Sequence, residues 1–362
     1  MRIAVVAHVR HPIAPPFKGG MEAHSWHLVR GLLARGHDVT LLASGDSDPG
    51  LPVQPIAPLH YEATLPWAQF RGTPQLDAHL DRTFGNAAAL IASGDFDAVH
   101  YNALHPHLLH WASTNRVPLV ATLHVPPFAL LANAVRDSEA PWILKTVVSR
   151  KQLSRWFPGG HPGTAHVLPN GIDLDAWRFS PAGDGSAVWA GRIMANKGTG
   201  EAARAARLAG MPLRIHGVIE DREYFETQVA PHLDGRVTYE GHAGPGALAD
   251  SVGRASVMLF TPLWDEPFGL SAVEALACGT PVATFENGAV REVLGDHATY
   301  APSGDVPALA QAALQAMTLD RAACRAHVAE QYTLETMIER AESLYRKAAA
   351  AIGIAAREGA LT

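Results

Sequence analysis

Short apolar runs, each followed by a loop and a helical pattern, occur in two successive series along this chain. That alternation constrains the fold more than any other feature. Ile3–Ala7, Val39–Ala43, Ala98–Tyr101, Leu119–Leu123, Thr146–Ser149 and His166–Leu168 read as strands. Runs apolar throughout suit parallel sheets with helices over both faces. A helix from about Met21 to Arg35, closed by Gly36, joins the first two strands. The second series has strands at Val188–Ala190, Leu213–His216, Val257–Phe260 and Val282–Thr284, with a helix at Gly198–Ala209. Ala-rich helices run from Val306 to about Ile354, and the turn-rich stretch Ala176–Ser186 reads as a linker between the series. A chain of 362 residues exceeds one ordinary domain. The fold expected is α/β, two Rossmann-like doubly wound domains facing an interdomain cleft, with residues 1–178 in the first and 182–334 in the second. Ligands of such sheets bind beyond the carboxyl ends of the strands.

Composition bounds the function. A formal charge of −6 lacks the basic footprint of general nucleic-acid binding, so no nucleic-acid partner is expected. The two cysteines, Cys278 and Cys324, lie far apart, which fits a reducing compartment better than a disulfide scaffold. The opening apolar run is too short for a signal peptide, and no window approaches the ~20 apolar residues of a membrane span. A cytoplasmic protein is expected, with the inner face of a membrane as a second location.

The segment Trp264–Pro281 carries the strongest chemical signal. Glu266 precedes a predicted helix and Glu274 lies within it, while Pro267 suits a first helical turn and Gly279 a helix end. The N–H groups of Phe268, Gly269 and Leu270 then lack intrahelical acceptors and make an anion site. Two carboxylates beside an anion site suggest a nucleotide sugar; the plainer alternative is a helix-dipole residue and a salt-bridge partner.

Gly191–Gly198 places Arg192 and Lys197 on a strand-to-helix loop, where a guanidinium fork and a compact ammonium can hold phosphate. A solvated loop reads equally well in isolation. Gly19 and Gly20 let backbone amides approach a ligand, though the Gly-x-Gly-x-x-Gly dinucleotide pattern is absent. His124 closes a predicted strand, although a lone histidine is more often structural. Nineteen histidines, His100, His105, His107 and His110 among them, fit no zinc spacing, so no metal site is expected. Asp46-Ser47-Asp48, Asp95-Phe96-Asp97 and Asp173-Leu174-Asp175 read as structural, since Asp is favoured in turns. The aromatic and basic stretch Trp142–Phe157 suits a packed strand and helix, with weak peripheral membrane contact as the alternative.

The chain resembles the retaining family 4 glycosyltransferases of GT-B fold over nearly its full length. The motifs run in order: Gly19-Gly20, Gly31 to Val39, Thr122-Leu123-His124, Asn170-Gly171-Ile172-Asp173, Gly191-Arg192 through Lys197-Gly198, Glu266 to Leu270, and Glu274 to Val282. The resemblance implies that Arg192 and Lys197 bind the donor diphosphate and that Glu274 accepts from the ribose hydroxyls. It places Glu266 and the amides near Phe268, Gly269 and Leu270 on the donor sugar and phosphate, with His124 beside the transferred sugar. Gly19, Gly20 and Asn170 join the donor-binding set. No metal or other cofactor is implied; the co-substrate is a nucleotide sugar, a uridine diphosphate sugar preferred, and the acceptor a hydroxyl on a glycan, lipid-linked glycan or small metabolite. The last helix, about 335–362, is expected to return to the first domain. A GT-B epimerase or phosphorylase, or a non-catalytic nucleotide-sugar-binding protein, remains as an alternative. Many relatives carry a helical insertion before the strand ending in Ser149; here that stretch is compact.

Overall fold

The computed structural model describes residues 1–359, which divide into two compact units. The first comprises Met1–Pro169 together with the chain from Met337 onward; the second is Asn170–Thr336.

The first unit holds β1 (Arg2–Ala7), β2 (Asp38–Ser44), β3 (Val53–Ala57), β4 (Ala98–Asn102), β5 (Leu119–Leu123), β6 (Ile143–Val147) and β7 (Ala165–Val167). They form one parallel sheet in the order β3-β2-β1-β4-β5-β6-β7. Val5 faces Leu41 on one side and His100 on the other. The second unit holds β8 (Ala187–Ala190), β9 (Leu213–His216), β10 (Val237–Tyr239), β11 (Val257–Phe260), β12 (Val282–Phe285) and β13 (Ala298–Ala301), ordered β10-β9-β8-β11-β12-β13. In each sheet the strand order reverses beside the unit's first strand, between β1 and β4 and between β8 and β11. That reversal is the signature of the doubly wound fold and opens a crevice at the strands' carboxyl ends.

β4, β5, β6, β8, β11 and β12 are buried along their whole length, mostly by apolar residues, with His100, Asn102, Thr122, Lys145, Thr146 and Thr284 as buried polar exceptions. Val6, Tyr61, Phe84, Tyr101, Leu123 and Trp156 belong to the core of the first unit. Trp189, Ile193, Ile215, Leu259, Phe285 and Leu309 belong to that of the second.

Several sequence boundaries move. The strand expected at Thr146–Ser149 is β6, three residues earlier, because Ser149 instead caps the helix Arg150–Trp156 by accepting from Gln152 N–H at 3.1 Å. β7 starts one residue before the predicted His166. The edge strands β3, β10 and β13 carry too weak a pattern to be read. Ala176–Ser186 lies within the second unit and is no linker between units: Arg321 donates to Ser180 O at 2.8 Å, and Arg325 to Trp177 O at 2.5 Å. Ile172 pairs with Thr333, and its N–H donates to Tyr332 O at 2.8 Å. Residues 170–178, read with the first domain, therefore fall in the second unit.

The terminal helix, Leu334–Gly359, joins the first unit from Met337. Ala341, Tyr345 and Ala348 are fully buried there, while Arg35 Nε donates to Glu342 Oε1 at 2.6 Å and His37 Nε2 lies 2.9 Å from the same oxygen. The sequence reading extended this helix to residue 362; its last three positions lie outside the described residues.

Candidate functional site

In the second unit, the two loops flanking the strand-order reversal are stapled together. Lys197 ends the short turn Ala195–Lys197 after β8. Its carbonyl accepts from Thr261 Oγ1 at 2.8 Å, and Trp189 Nε1 donates to that same hydroxyl at 2.9 Å. Leu263 N–H donates to Asn196 O at 2.9 Å. The β8 loop is thus fixed against the β11 loop by backbone and by side chains rooted in the sheet.

The staple brings Lys197 onto Glu266. Lys197 Nζ lies 3.0 Å from Glu266 Oε2 and 4.5 Å from the centre of the Trp264 ring. Glu266 is almost wholly buried and fully engaged. Trp264 Nε1 donates to Oε2 at 2.7 Å, and Gly269 N–H donates to Oε1 at 3.2 Å. Its carbonyl accepts from Ala289 N–H at 2.8 Å. Gly288 runs so close behind that a Cβ there would stand 2.2 Å from Glu266 O, and its φ of +66° also favours glycine.

The helix that follows begins at Leu270, not at Pro267, and ends at Ala277. Gly269, at φ +87°, is its N-cap, so Pro267 stands ahead of the helix and not in its first turn. Nor is the Gly269 amide open, since Glu266 accepts from it. Leu270 and Ser271 begin the helix, and by helix geometry their N–H groups have no earlier turn to donate to.

Glu274 is the fifth residue of this helix, just over one turn in. Leu270, Ser271 and Glu274, spaced to share a face, are its half-buried positions; Ala272, Val273, Ala275, Leu276 and Ala277 are buried. Among the described residues the Glu274 carboxyl makes no hydrogen bond or ion pair, and burial pushes it up to about 7. An acidic group left unpartnered on an accessible face is positioned to accept from hydroxyls that an incoming molecule supplies. The C-terminal end of the helix is held by Arg325, which donates to Ala277 O at 2.7 Å.

Arg192 lies on the β8 loop with Nη1 3.7 Å from Glu220 Oε1, a carboxylate that sequence reasoning missed. Asn170 is buried, and its Oδ1 has no hydrogen-bond partner among the described residues. Phe268 is buried against the Tyr332 ring at 5.5 Å, so its side chain serves packing.

In the first unit, Gly20 opens the helix Gly20–Ala34, with Gly19 as N-cap in extended backbone. The buried Glu22 turns back on this start: a Cβ on Gly19 would lie 2.9 Å from Glu22 Oε2. His124 directly follows β5, as the sequence suggested. It is not alone. His124 Nε2 lies 2.9 Å from Asn102 Oδ1, which also meets His100 Nε2 at 3.1 Å. His100 reaches Tyr345 of the terminal helix and Thr122, and the His24 ring packs edge-on against His124 at 4.5 Å. Burial and the neighbouring His24, His100 and His8 hold the His124 imidazole neutral. His100 and Asn102 alternate on one face of β4, a spacing visible in the sequence; the contribution of Tyr345, distant in the chain, was not.

The Asp-x-Asp pairs are structural. Asp48 accepts from Trp26 Nε1 and from Gly50 N–H, both at 2.8 Å. Asp97 accepts from Arg2 N–H at 2.8 Å, and Asp173 from Asp175 N–H at 3.0 Å. In Trp142–Phe157 the apolar side chains turn inward: Ile143, Leu144 and Trp156 are buried, and Trp142 Nε1 donates to Ala112 O at 3.2 Å. No described helix is long and apolar enough to cross a membrane.

Residues 18–176 match the profile of Glycosyltransferase Family 4, and residues 185–318 that of Glycosyl transferases group 1. The phosphatidyl-myo-inositol mannosyltransferase of Mycobacterium leprae is 27% identical over 346 residues, covering 86% of each chain. The D-inositol 3-phosphate glycosyltransferase of Rhodococcus erythropolis is 27% identical over 410 residues, covering 96% of this chain and 91% of its own. Among solved structures, AviGT4, a glycosyltransferase involved in avilamycin A biosynthesis, superposes with a TM-score of 0.72 at 21% identity, covering 96% of this chain and 98% of its own. Anabaena Alr3699/HepE in complex with UDP-glucose superposes with a TM-score of 0.69 at 18% identity, covering 95% and 99%. Both structures share the fold.

Proposed function

The chain belongs to the family 4 glycosyltransferases, and from that premise we propose that it moves a hexose from a nucleoside diphosphate to an acceptor hydroxyl with retention of configuration. The observation that carries the donor reading is the Lys197 ammonium, fixed by Glu266 at the mouth of the helix Leu270–Ala277, where the strand order reverses. Cleaving the sugar–phosphate bond builds negative charge on the leaving diphosphate. Lys197 and Arg192, on one loop, supply the positive charge that stabilises it, and the opening amides of the helix add theirs. Glu274, unpartnered on its half-buried face, accepts from the ribose hydroxyls. Retention is taken from the family and goes with front-face attack, a leaving-group phosphate oxygen receiving the acceptor's proton.

A uridine diphosphate hexose is the first donor to try, in line with the UDP-glucose bound by Alr3699/HepE. Inositols, free, phosphorylated or lipid-linked, are the first acceptors, in line with the names of the sequence relatives. The test is incubation with a panel of nucleotide sugars, with and without these acceptors and with and without a chelator. Acceptor-dependent release of nucleoside diphosphate together with a glycosylated product supports the reading. An isomerised donor, or binding without turnover in every combination, contradicts it.

A further inference from the structure

In the first unit a line of buried polar groups runs from the terminal helix to His124, and its hydrogen-bond directions can be worked out from one end. Tyr345 is fully buried, and its hydroxyl meets His100 Nδ1 at 2.7 Å as its one hydrogen-bond partner among the described residues. A buried phenol with a single partner must donate to it, because an unpaired O–H costs more than the bond contributes. His100 Nδ1 is then the acceptor. The ring, fully buried and kept neutral by burial, carries its proton on Nε2.

From Nε2 the proton faces Thr122 Oγ1 at 2.9 Å and Asn102 Oδ1 at 3.1 Å. Thr122 can accept it, since its own hydroxyl is 2.8 Å from Thr146 Oγ1, which donates onward to Ala121 O. The Asn102 amide is thereby oriented with its oxygen toward both histidines. The opposite orientation would set an amide N–H against the His100 Nε2–H, or force that ring into the other tautomer and leave the Tyr345 proton unpaired; the orientation kept leaves only the buried Asn102 Nδ2 without a partner among the described residues. With Asn102 Oδ1 facing it at 2.9 Å, His124 Nε2 must donate, so its Nδ1 holds the free lone pair.

We propose that Tyr345 is a positioning residue for the transferase site: through His100 and Asn102 it locks His124 as the Nε2–H tautomer, so that Nδ1 accepts a hydrogen bond from a sugar hydroxyl. The last step rests on the glycosyltransferase reading; the lock itself does not. A neutral acceptor also adds no positive charge where the sugar carbon becomes electron-poor. The terminal helix thus contributes to the chemistry as well as to packing, which gives a physical reason for its return to the first unit.

The test reads the tautomer directly in substrate-free protein by long-range proton–nitrogen correlation on the 15N-labelled imidazoles, with His124 assigned by comparison with His124→Gln. The wild-type ring should be a single Nε2–H tautomer at neutral pH. Tyr345→Phe, which keeps the ring packing, should release a mixture, and so should Asn102→Leu, which removes the acceptor. Turnover should fall about tenfold in each, the worth of one oriented hydrogen bond, while the donor KM moves little. An Nδ1–H or doubly protonated His124 in the wild type, or a tautomer unmoved in both variants, overturns the lock. A mixed tautomer with unchanged turnover overturns its role in transfer. Because the spectra need no substrate, a failure of the glycosyltransferase reading would leave the tautomer result standing and is told apart from a failure of the lock.

Discussion

Lys197 Nζ lies 3.0 Å from Glu266 Oε2, so the ammonium proposed for the diphosphate already holds a carboxylate before any donor arrives. The sequence reading gave the two residues separate tasks. The structure makes them one device: Glu266, anchored by Trp264 Nε1 and Gly269 N–H, aims the ammonium at the helix mouth and limits its freedom. A cation held in place beforehand needs little reorganisation as charge develops on the leaving group.

Lys197→Met keeps the aliphatic stem and removes the charge. Turnover should fall by about 10²–10³, as for loss of one preorganised donor at a developing anion. The measurement is steady-state kinetics with the donor identified by the panel, and a drop below about tenfold would remove Lys197 from the chemistry.

Glu274 gives a pH signature. Its folded carboxyl is pushed up to about 7 by burial, above the ordinary value of 4.5. Its stabilising effect is therefore fully present below pH 4.5 and is lost as pH rises through 7, by up to ~3 kcal/mol. Glu274→Gln should melt above wild type at pH 8 and lose that advantage by pH 5. Hydroxyl donors need the carboxylate, so wild-type affinity for a nucleoside diphosphate should rise as pH passes 7. The Gln variant should bind more weakly, without that rise; calorimetric titration at several pH values checks it.

Gly288→Ala contacts no ligand in this account, yet a Cβ there would stand 2.2 Å from Glu266 O. Moving Glu266 displaces Lys197, and misplacement by an ångström costs about a hundredfold in rate. Activity should fall by that order in a protein that still shows a cooperative melt; near wild-type turnover would contradict the rigid-pair account.

Glu342 fastens the terminal helix. Arg35 and His37 hold its carboxyl down at about 2, from 4.5. A depressed carboxyl contributes stability that is present above pH 4.5 and lost as pH falls toward 2. With Arg35 more than a third exposed, that contribution is ~1–2 kcal/mol. Glu342→Gln should lower the melting temperature at pH 6 and match wild type near pH 2; an equal offset at both would contradict the assignment.

Apolar patterning made the strands legible, because β1, β2, β4, β5, β8, β9, β11 and β12 are buried runs and burial is written in composition. β3 and β10 at the sheet edges were not. Pro267 misled because Gly269, in left-handed backbone, starts the helix later. At the site, residue types and loop positions were readable: Lys197, Glu266 and His124 all sit at carboxyl ends of strands. Their pairing was not, since Lys197–Glu266 and His100–Tyr345 join residues 69 and 245 positions apart. The registration of two loops, or of a terminal helix on a sheet, follows from packing and leaves no periodic trace.

The most direct test is calorimetric titration of wild type and Lys197→Met with uridine diphosphate and with uridine. Recognition of the diphosphate by Lys197 predicts that UDP binds wild type far more tightly than uridine does. It also predicts that Lys197→Met loses about tenfold or more in UDP affinity while its affinity for uridine is unchanged. Equal binding of the two ligands, or UDP affinity indifferent to the substitution, would contradict it.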